Sequence, residues 1–295
     1  MTAPPATLDP RRHAFRPDLA DEALRGRVAA DRFTPGGGAV IFRASVPMRK
    51  VPVASAAFET EALFGERVSV FDITAEGWAW IQLAGDRYVG YVPADTLAYG
   101  IGPRTHRVKA TGTFVYAVPE IKSPPLMHLS LNASFAVAET GERFYRLDTG
   151  GYVIARHVTE VGWADRDFVE VAERFLGTPY LWGGKTRVGL DCSGLVQISL
   201  AACGIEAPRD TDMQRAEIGS EIPVPEDLEG LTRGDIVFWQ GHVGIMADAV
   251  MMLHANAHHM SVAIEPLPEA AARIKASTGN DIITIRRLPG LTRIV

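Results

Sequence analysis

Cysteine is scarce in this sequence: its 295 residues include only Cys192 and Cys203. The two lie eleven residues apart, which in a single helix corresponds to about 16 Å at about 1.5 Å per residue. A disulfide requires Cα atoms within roughly 7 Å of each other, so the sequence predicts two separate thiols. Unpaired thiols are typical of a reducing compartment.

Long apolar runs are also absent. No stretch approaches the roughly 18 apolar residues that a membrane-spanning helix needs. Residues 1–33 contain no uninterrupted apolar segment of the kind found in secretory signals. From these absences we expect a soluble, cytoplasmic protein that does not associate with membranes.

Charge of either sign is not in strong excess. The formal net charge is −5 and the isoelectric point is near 5.9, so a nucleic-acid partner is not expected. Hydrophobic residues make up 47% of the chain and charged residues 22%, a composition that allows a sizeable core. The length permits two domains or three small ones, and we expect a monomer.

The N-terminal half of the sequence favours short strands. Residues 1–35 form a Pro- and Arg-rich extension with a short helical pattern around DLADEALRGRV. In residues 36–100, the period-two segments RVSVFDI, WAWIQLA and RYVGYVP predict β-strands. A weaker copy fills residues 101–162, where Gly151-Tyr152-Val153 repeats Gly90-Tyr91-Val92 at a distance of 61 residues. The repeat predicts two tandem small β-barrels.

The pattern changes in residues 163–295. Phe168, Val171, Ala172 and Phe175 lie at helical spacing. A second helix is predicted to begin at Cys192, with Asp191 at its N-cap, and to end at Gly204. After a proline-rich loop, the segments that read as antiparallel strands are GDIVFW, HVGIMA, AVMMLHA, SVAIEPL and DIITIRRL. Helices followed by strands predict an α+β domain.

Cys192 is the candidate nucleophile. A helix N-terminus lowers the pKa of a thiol, although the neighbouring carboxylate of Asp191 opposes this. A nucleophilic cysteine needs a base, usually histidine. A turn centred on Asp248 would pair His242 directly with His254 on adjacent strands, with Cβ atoms about 5 Å apart. One imidazole could then accept the thiol proton while the other orients it, as in a Cys–His–His triad.

A metal site is the less favoured interpretation of the histidines. His254 and His258 have metal-ligand spacing only on a helix. On a strand, they would lie about 13 Å apart at about 3.3 Å per residue. We therefore predict no metal, and we place His258 and His259 in an exposed turn. The residues interpreted as packing are Cys203, Trp78, Trp80 and Trp182.

Four segments together carry a family resemblance: TPYLWGGKTRVGLDCSGLVQ, PRDTDMQ, GDIVFWQGHVGI and LHANA. They resemble the NlpC-type bacterial cell-wall peptidases, which are papain-like cysteine peptidases, over about residues 165–290. The two β-rich repeats resemble bacterial SH3-like domains. The resemblance implies two small all-β SH3-like barrels followed by an α+β papain-like peptidase domain, with no cofactor. It also implies Cys192 as nucleophile, His242 as general base and His254 as the orienting residue.

The domain order is similar to the branch of the family that acts on short wall peptides as γ-D-glutamyl-L-diamino acid endopeptidases. This likeness implies that Asp191 binds the free α-ammonium of an N-terminal L-Ala, helped by Tyr180. A half-buried carboxylate needs a charge partner, and an incoming ammonium would supply one. Ser193 and Thr211 match positions implied to hold the D-Glu α-carboxylate.

The resemblance fixes neither the cleft-closing tyrosine nor the role of Arg209. A tyrosine of the first SH3-like domain is implied to close the cleft; Tyr88 is the candidate and Tyr91 the rival. Arg209 is given no role beyond a structural ion pair with Asp210 or Asp212.

The resulting expectation is hydrolysis of the γ-D-Glu–diamino acid amide in peptides of the L-Ala-γ-D-Glu-diaminopimelate type, in wall-peptide recycling. A non-catalytic module that binds cell-wall peptides is the alternative. The two differ in whether peptide hydrolysis is lost, with binding retained, when Cys192 is replaced by alanine.

Overall fold

The computed structural model describes residues 8–289, so residues 1–7 of the predicted extension and residues 290–295 lie outside the described residues. In the N-terminal segment, β1 (Leu19–Asp21) pairs in parallel with β2 (Arg32–Thr34). The helix predicted around DLADEALRGRV is wrong, since only a 3-10 turn, Glu22–Leu24, forms there. Asp21 caps this turn, and Gly26 redirects the chain with a φ of +79°.

The first β region is an antiparallel sheet of seven strands. These are β3 (Gly37–Ile41), β4 (Ser45–Arg49), β5 (Phe58–Leu63), β6 (Arg67–Ile73), β7 (Trp78–Leu83), β8 (Val89–Pro93) and β9 (Leu97–Ala98). The spatial order is β5-β4-β8-β7-β6-β3-β9. The three period-two segments quoted for this region correspond to β6, β7 and β8. Alternate side chains, among them Val46, Met48 and Ile81, form its core.

The second β region has two sheets and its own core. Its strands are β10 (His106–Val108), β11 (Gly112–Tyr116), β12 (Pro125–Ser130), β13 (Ser134–Phe135), β14 (Val137–Thr140), β15 (Phe144–Leu147), β16 (Tyr152–Ile154) and β17 (Val158–Glu160). The orders are β13-β10-β17 and β12-β11-β16-β15-β14. Its core includes Val108, Leu129 and Phe135.

The two β regions end in the same way. A 3-10 helix, Ala94–Thr96, joins β8 to β9, and another, Ala155–His157, joins β16 to β17. Tyr91 and Tyr152, which the sequence repeat matches, lie in β8 and β16.

The C-terminal region places helices against an antiparallel sheet. The helices are α1 (Phe168–Glu173), α2 (Cys192–Ala202), α3 (Thr211–Glu217) and α4 (Leu267–Thr278). The strands are β18 (Lys185–Thr186), β19 (Gly189–Leu190), β20 (Ser220–Ile222), β21 (Ile236–Trp239), β22 (His242–Met246), β23 (Met251–Asn256), β24 (Ser261–Pro266) and β25 (Thr284–Arg287). The larger sheet has the order β20-β25-β21-β22-β23-β24.

Helix α2 begins and ends where the sequence predicts. Asp191 is its N-cap, and its Oδ1 accepts a hydrogen bond from the Gly194 N–H at 2.7 Å. Gly204, with a φ of +74°, follows the last turn. Nearly every side chain of α2 is buried, and its apolar residues share one core with those of β22 and β23. The first residue of α2, Cys192, is therefore held against the sheet.

Two helices were not predicted. Helix α3 lies in the segment read as a proline-rich loop, and it is short, with only Met213 and Gln214 buried. Helix α4 lies between two strands that the sequence reading places in succession. Its signals were present, because Leu267, Ala270 and Ile274 form a buried stripe at helical spacing. Within residues 8–289, no helix is long and apolar enough to cross a membrane.

Strand β5 of the first β region lies against the C-terminal region. The Lys185 ammonium is 3.0 Å from Glu66 Oε1, and the Lys185 N–H donates to Glu61 Oε2 at 2.8 Å. The Arg209 Nε–H donates to Thr60 Oγ1 at 2.8 Å. These contacts, two from β5 and one from the turn that follows it, hold β5 beside the start of α2.

Candidate active site

A cleft of about 340 Å³ opens at the N-terminal end of α2. Cys192 and Trp239 form part of its wall in the C-terminal region. Glu59 of β5 and Arg11 of the N-terminal segment contribute to the same wall. Three separate parts of the chain thus enclose one cleft around a single thiol.

The Cys192 thiol is buried at the bottom of this cleft. The Thr211 hydroxyl lies 3.9 Å from Sγ, and the backbone N–H of Val243 hydrogen-bonds to the same sulfur. Burial, and then the negative charge of Asp191, raise the pKa of the Cys192 thiol to about 11, against the lowering effect of these two donors. At neutral pH the thiol is therefore protonated and needs a base before it can attack.

Two histidines lie on β22 and β23, the strands that pack against α2, and one of them, His242, precedes Val243 in the chain. His242 Nε2 is 2.8 Å from His254 Nδ1, and the ring centroids are 5.1 Å apart. Burial lowers the pKa of His242 to about 4, and it lowers the pKa of His254 as well. Both rings are therefore neutral at pH 7, and a neutral imidazole can accept a proton.

The strand register differs from the one the sequence predicts. Ile245 pairs with Leu253 and Met246 with Met252, which centres the turn on Ala249 rather than Asp248. The prediction that His242 and His254 lie directly opposite each other is therefore wrong. The rings still meet because the offset is an even number of residues, which keeps both on the same face of the sheet. Diagonal neighbours are within reach of aromatic side chains.

The second ring has a further partner that the sequence analysis missed. His254 Nε2 is 2.7 Å from Glu265 Oε1, and the Arg273 guanidinium contacts the same oxygen. In β24, Ala263 pairs with His254, so Glu265, two residues further along, faces the same side. The predicted strand SVAIEPL carries a carboxylate on the same face as His254. This signal could have identified Glu265.

Three side chains that could ligate a metal lie close together around His254. His254, His259 and Glu265 each offer one ligand atom, all within 4.8 Å of one another. His258 and His259 lie in the exposed turn between β23 and β24, as predicted. The carboxylate oxygen of the cluster is already shared by an imidazole and the guanidinium of Arg273, which competes with a cation for it.

Comparison with known proteins assigns these domains. Residues 177–275 match the NlpC/P60 family, and residues 48–97 match the bacterial dipeptidyl-peptidase Sh3 domain. This chain carries an NlpC/P60 cysteine peptidase domain. An SH3 domain precedes it, so the chain is mostly β-structure with some helices.

Relatives with the same span support this assignment. The chain is 26% identical over 233 residues to dipeptidyl-peptidase 6 of Lysinibacillus sphaericus, covering 71% of this chain and 84% of that protein. It is 29% identical over 239 residues to a gamma-D-glutamyl-L-lysine dipeptidyl-peptidase of Bacillus subtilis, covering 72% and 76%. The crystal structure of an NlpC/P60 family protein from Bacillus cereus superposes with a TM-score of 0.71 at 22% identity, covering 85% of this chain and 99% of that one. This likeness shows the shared fold.

Within the NlpC/P60 domain, Asp191 is not an unpaired carboxylate. The Arg209 guanidinium donates to Oδ1 at 3.0 Å and to Oδ2 at 2.7 Å. The N–H groups of Gly183 and Gly194 also donate to it. A carboxylate offers about four lone-pair sites, and these bonds fill them. The expectation that an incoming ammonium supplies the charge partner of Asp191 is wrong, because Arg209 already does.

The pairing predicted for Arg209 is also wrong. Asp210 and Asp212 instead bind Arg11 of the N-terminal segment, with Nη1 2.9 Å from Asp210 and Nη2 2.7 Å from Asp212. Tyr88 Oη donates to Asp210 Oδ2 at 3.1 Å. Tyr88 therefore reaches the loop that forms the cleft wall.

The remaining predicted residues divide between cleft and core. Tyr180, Ser193 and Thr211 line the cleft with Cys192. Tyr91 instead packs under the N-terminal segment, where its Oη accepts from Arg16. Trp182 was interpreted as a packing residue, which is wrong, because 63% of it is exposed and it lines the cleft. Trp78 and Trp80 pack in a core cluster, and Cys203 packs against the NlpC/P60 core.

Replacing Thr211 by valine should slow alkylation of Cys192 by iodoacetamide about threefold at pH 8. The hydroxyl stabilises the thiolate, so its removal raises the thiol pKa, and alkylation proceeds through the thiolate. The rate is measured against pH in a Cys203→Ser background, so that only Cys192 reacts. Equal rates in the two proteins would show that Thr211 does not act on the thiol.

Proposed function

We propose that this peptidase hydrolyses the amide between γ-D-Glu and a diamino acid in peptides of the L-Ala-γ-D-Glu-diaminopimelate type. The observation that carries the proposal is a buried thiol in contact with Val243, the residue after a neutral histidine of the His242–His254 pair, in a cleft whose charged wall is mainly carboxylate. The names of the relatives, gamma-D-glutamyl-L-lysine dipeptidyl-peptidases among them, support the γ-D-glutamyl bond.

In the proposed reaction, Cys192 Sγ attacks the γ-carbonyl carbon while His242 takes the thiol proton. Because the thiol and His242 are both neutral at pH 7, this transfer accompanies the attack. The backbone N–H of Cys192, at the start of α2, stabilises the oxyanion. His242 returns the proton to the departing amine, which leaves a thioester on Cys192. Water then hydrolyses the thioester and releases L-Ala-D-Glu, with His254 orienting His242 throughout.

The charged wall of the cleft suits a cationic N-terminus. Arg11 neutralises part of the charge of Asp210 and Asp212, and Arg209 neutralises Asp191. Glu59 also lines the cleft and belongs to none of the ion pairs found within residues 8–289. We assign Glu59 as the direct partner of the L-Ala ammonium, with Asp191 and Tyr180 at the base of the same subsite and Tyr88 behind its wall. Ser193 and Thr211 remain our candidates for the D-Glu α-carboxylate.

Acetylating the N-terminus of the tripeptide should lower kcat/KM by about 30-fold. A hydrogen-bonded charge pair contributes about 2 kcal/mol, and acetylation removes the charge. The two peptides are compared by mass spectrometry of their products. Cleavage of both at the same rate would refute the ammonium subsite, and no cleavage of either would refute the reaction.

A Glu59→Gln variant locates the subsite. Its kcat/KM should fall on the free peptide but not on the acetylated one. The ratio of kcat/KM between the two peptides should therefore be smaller than in the wild type. A variant that loses activity equally on both peptides would place the ammonium elsewhere.

We also propose that the second β region is a second SH3-like barrel. Its separate core and its strand, 3-10 helix, strand ending, shared with the first region, support this. The domains would then span residues 1–35, 36–100, 101–162 and 163–295. Cytoplasmic location, a monomeric state and a role in wall-peptide recycling stay predictions, to be tested by cell fractionation and by mass measurement in solution.

A further inference from the structure

Glu265 lies at the far end of a line of hydrogen bonds that begins at His242. His242 Nε2 is 2.8 Å from His254 Nδ1, and His254 Nε2 is 2.7 Å from Glu265 Oε1. The His254 side chain is fully buried and the Glu265 side chain is 13% exposed, so water has little access to this line. Each member comes from a different strand, β22, β23 and β24, of one sheet.

The partners determine which nitrogen carries each proton. A carboxylate only accepts hydrogen bonds, so His254 must carry its proton on Nε2. Burial lowers the pKa of His254, and the neutral ring therefore has a lone pair on Nδ1. His242 must then donate from Nε2 to that lone pair. This leaves the lone pair of His242 on Nδ1, the nitrogen that has no part in the line.

We propose that Glu265 is a positioning residue that sets the proton arrangement of both histidines and stabilises the imidazolium formed when His242 accepts the thiol proton. The inference rests on the roles proposed for Cys192 and His242. Glu265 touches neither the substrate nor the sulfur; it acts through His254. A carboxylate behind an imidazole performs both tasks in triad enzymes of unrelated fold.

The charged and titratable groups that face Glu265 come from three elements. His254 faces it from β23, His259 from the following turn at 3.9 Å, and Arg273 from α4. Arg273 opposes a positive charge on the histidines and lowers the pKa of His242. Glu265 and Arg273 thus form one ion pair but act on the base in opposite directions.

Because Glu265 and Arg273 act on the base in opposite directions, replacing each residue separately distinguishes a positioning role from a structural one. Glu265→Gln and Arg273→Met each remove the ion pair. In Glu265→Gln, kcat should fall about 10- to 100-fold with little change in KM. The base is active when deprotonated, so the acid limb of kcat/KM should move to lower pH. In Arg273→Met, kcat should be retained and the acid limb should move to higher pH.

A second readout needs no substrate. Each unit by which the imidazolium pKa falls reduces the thiolate–imidazolium population tenfold. Alkylation of Cys192 at pH 7, in a Cys203→Ser background, should therefore slow in Glu265→Gln and not in Arg273→Met. If Cys192 of the wild type is alkylated as expected but the protein cleaves no peptide, the proposed function fails. The alkylation rates of the two variants still test the role of Glu265.

Three results would overturn the inference. One is equal loss of activity in both variants, as expected for a purely structural ion pair. Another is a wild-type kcat and pH profile in Glu265→Gln. The third is loss of wild-type activity on treatment with a chelator, because a cation on His254 Nε2 would displace the proton that Glu265 holds.

Discussion

Replacement of Cys192 by alanine is expected to lower peptide hydrolysis by at least about 1000-fold, because the variant lacks the atom that attacks the carbonyl. The fold should be retained, since the side chain is small and alanine is a good residue for the first turn of a helix. Product formation from the free tripeptide is followed by mass spectrometry. Peptide binding should persist, because the proposed ammonium and carboxylate subsites do not use the sulfur.

Cys203 provides the matched control for this variant. It is the only other cysteine of the chain, and it is the C-cap residue of the same helix, α2. Cys203→Ser should keep full activity, and iodoacetamide should inactivate it in proportion to the labelling of Cys192. Hydrolysis that survives in Cys192→Ala would refute the nucleophile. A wild type that binds the peptide without cleaving it would favour the binding-module alternative.

The sequence located α2 and its first residue because the signals there are local. An aspartate N-cap, a buried apolar stripe and a terminal glycine act within one or two turns of the helix. The same kind of local signal is present for α4, although no helix was predicted between those two strands. Local patterns thus determined where the candidate nucleophile lies in the fold.

The histidine pair shows which part of sheet geometry a sequence can predict. Alternation placed His242 and His254 on one face, and this was enough to bring their rings together. The register depended on the centre of a turn, and there the prediction was off by one residue, from Asp248 to Ala249. Because such an error shifts the pairing by two residues, the face was predicted correctly and the opposing residue was not.

The long-range ion pairs could not be predicted from the sequence. Arg209 is three residues from Asp212 in the chain but binds Asp191, because packing of the loop before α3 against α2 buries both charges together. Arg11 reaches Asp210 and Asp212 because the fold places the N-terminal segment beside the same loop. Sequence spacing does not encode these partners.

Replacing Arg209 by methionine is expected to destabilise the NlpC/P60 domain by about 3–5 kcal/mol. Both side chains of the Arg209–Asp191 pair are at least nine-tenths buried, and removal of one partner leaves a buried charge without compensation. Arg209 also bonds to Ser193 and to Thr60 of β5, so the variant loosens the wall of the cleft. The measurement is urea unfolding followed by tryptophan fluorescence.

Two controls show whether burial of the uncompensated charge is the cause. Arg233→Met removes a guanidinium that pairs with Asp167 and Glu173 but is 38% exposed, and it should cost about 1 kcal/mol or less. Adding Asp191→Asn to Arg209→Met removes the stranded charge and keeps an N-cap acceptor, and it should recover about half of the loss. A double variant less stable than Arg209→Met would show that the packing of the arginine, rather than its charge, stabilises the start of α2. In that case Asp191 would stabilise α2 mainly as its N-cap.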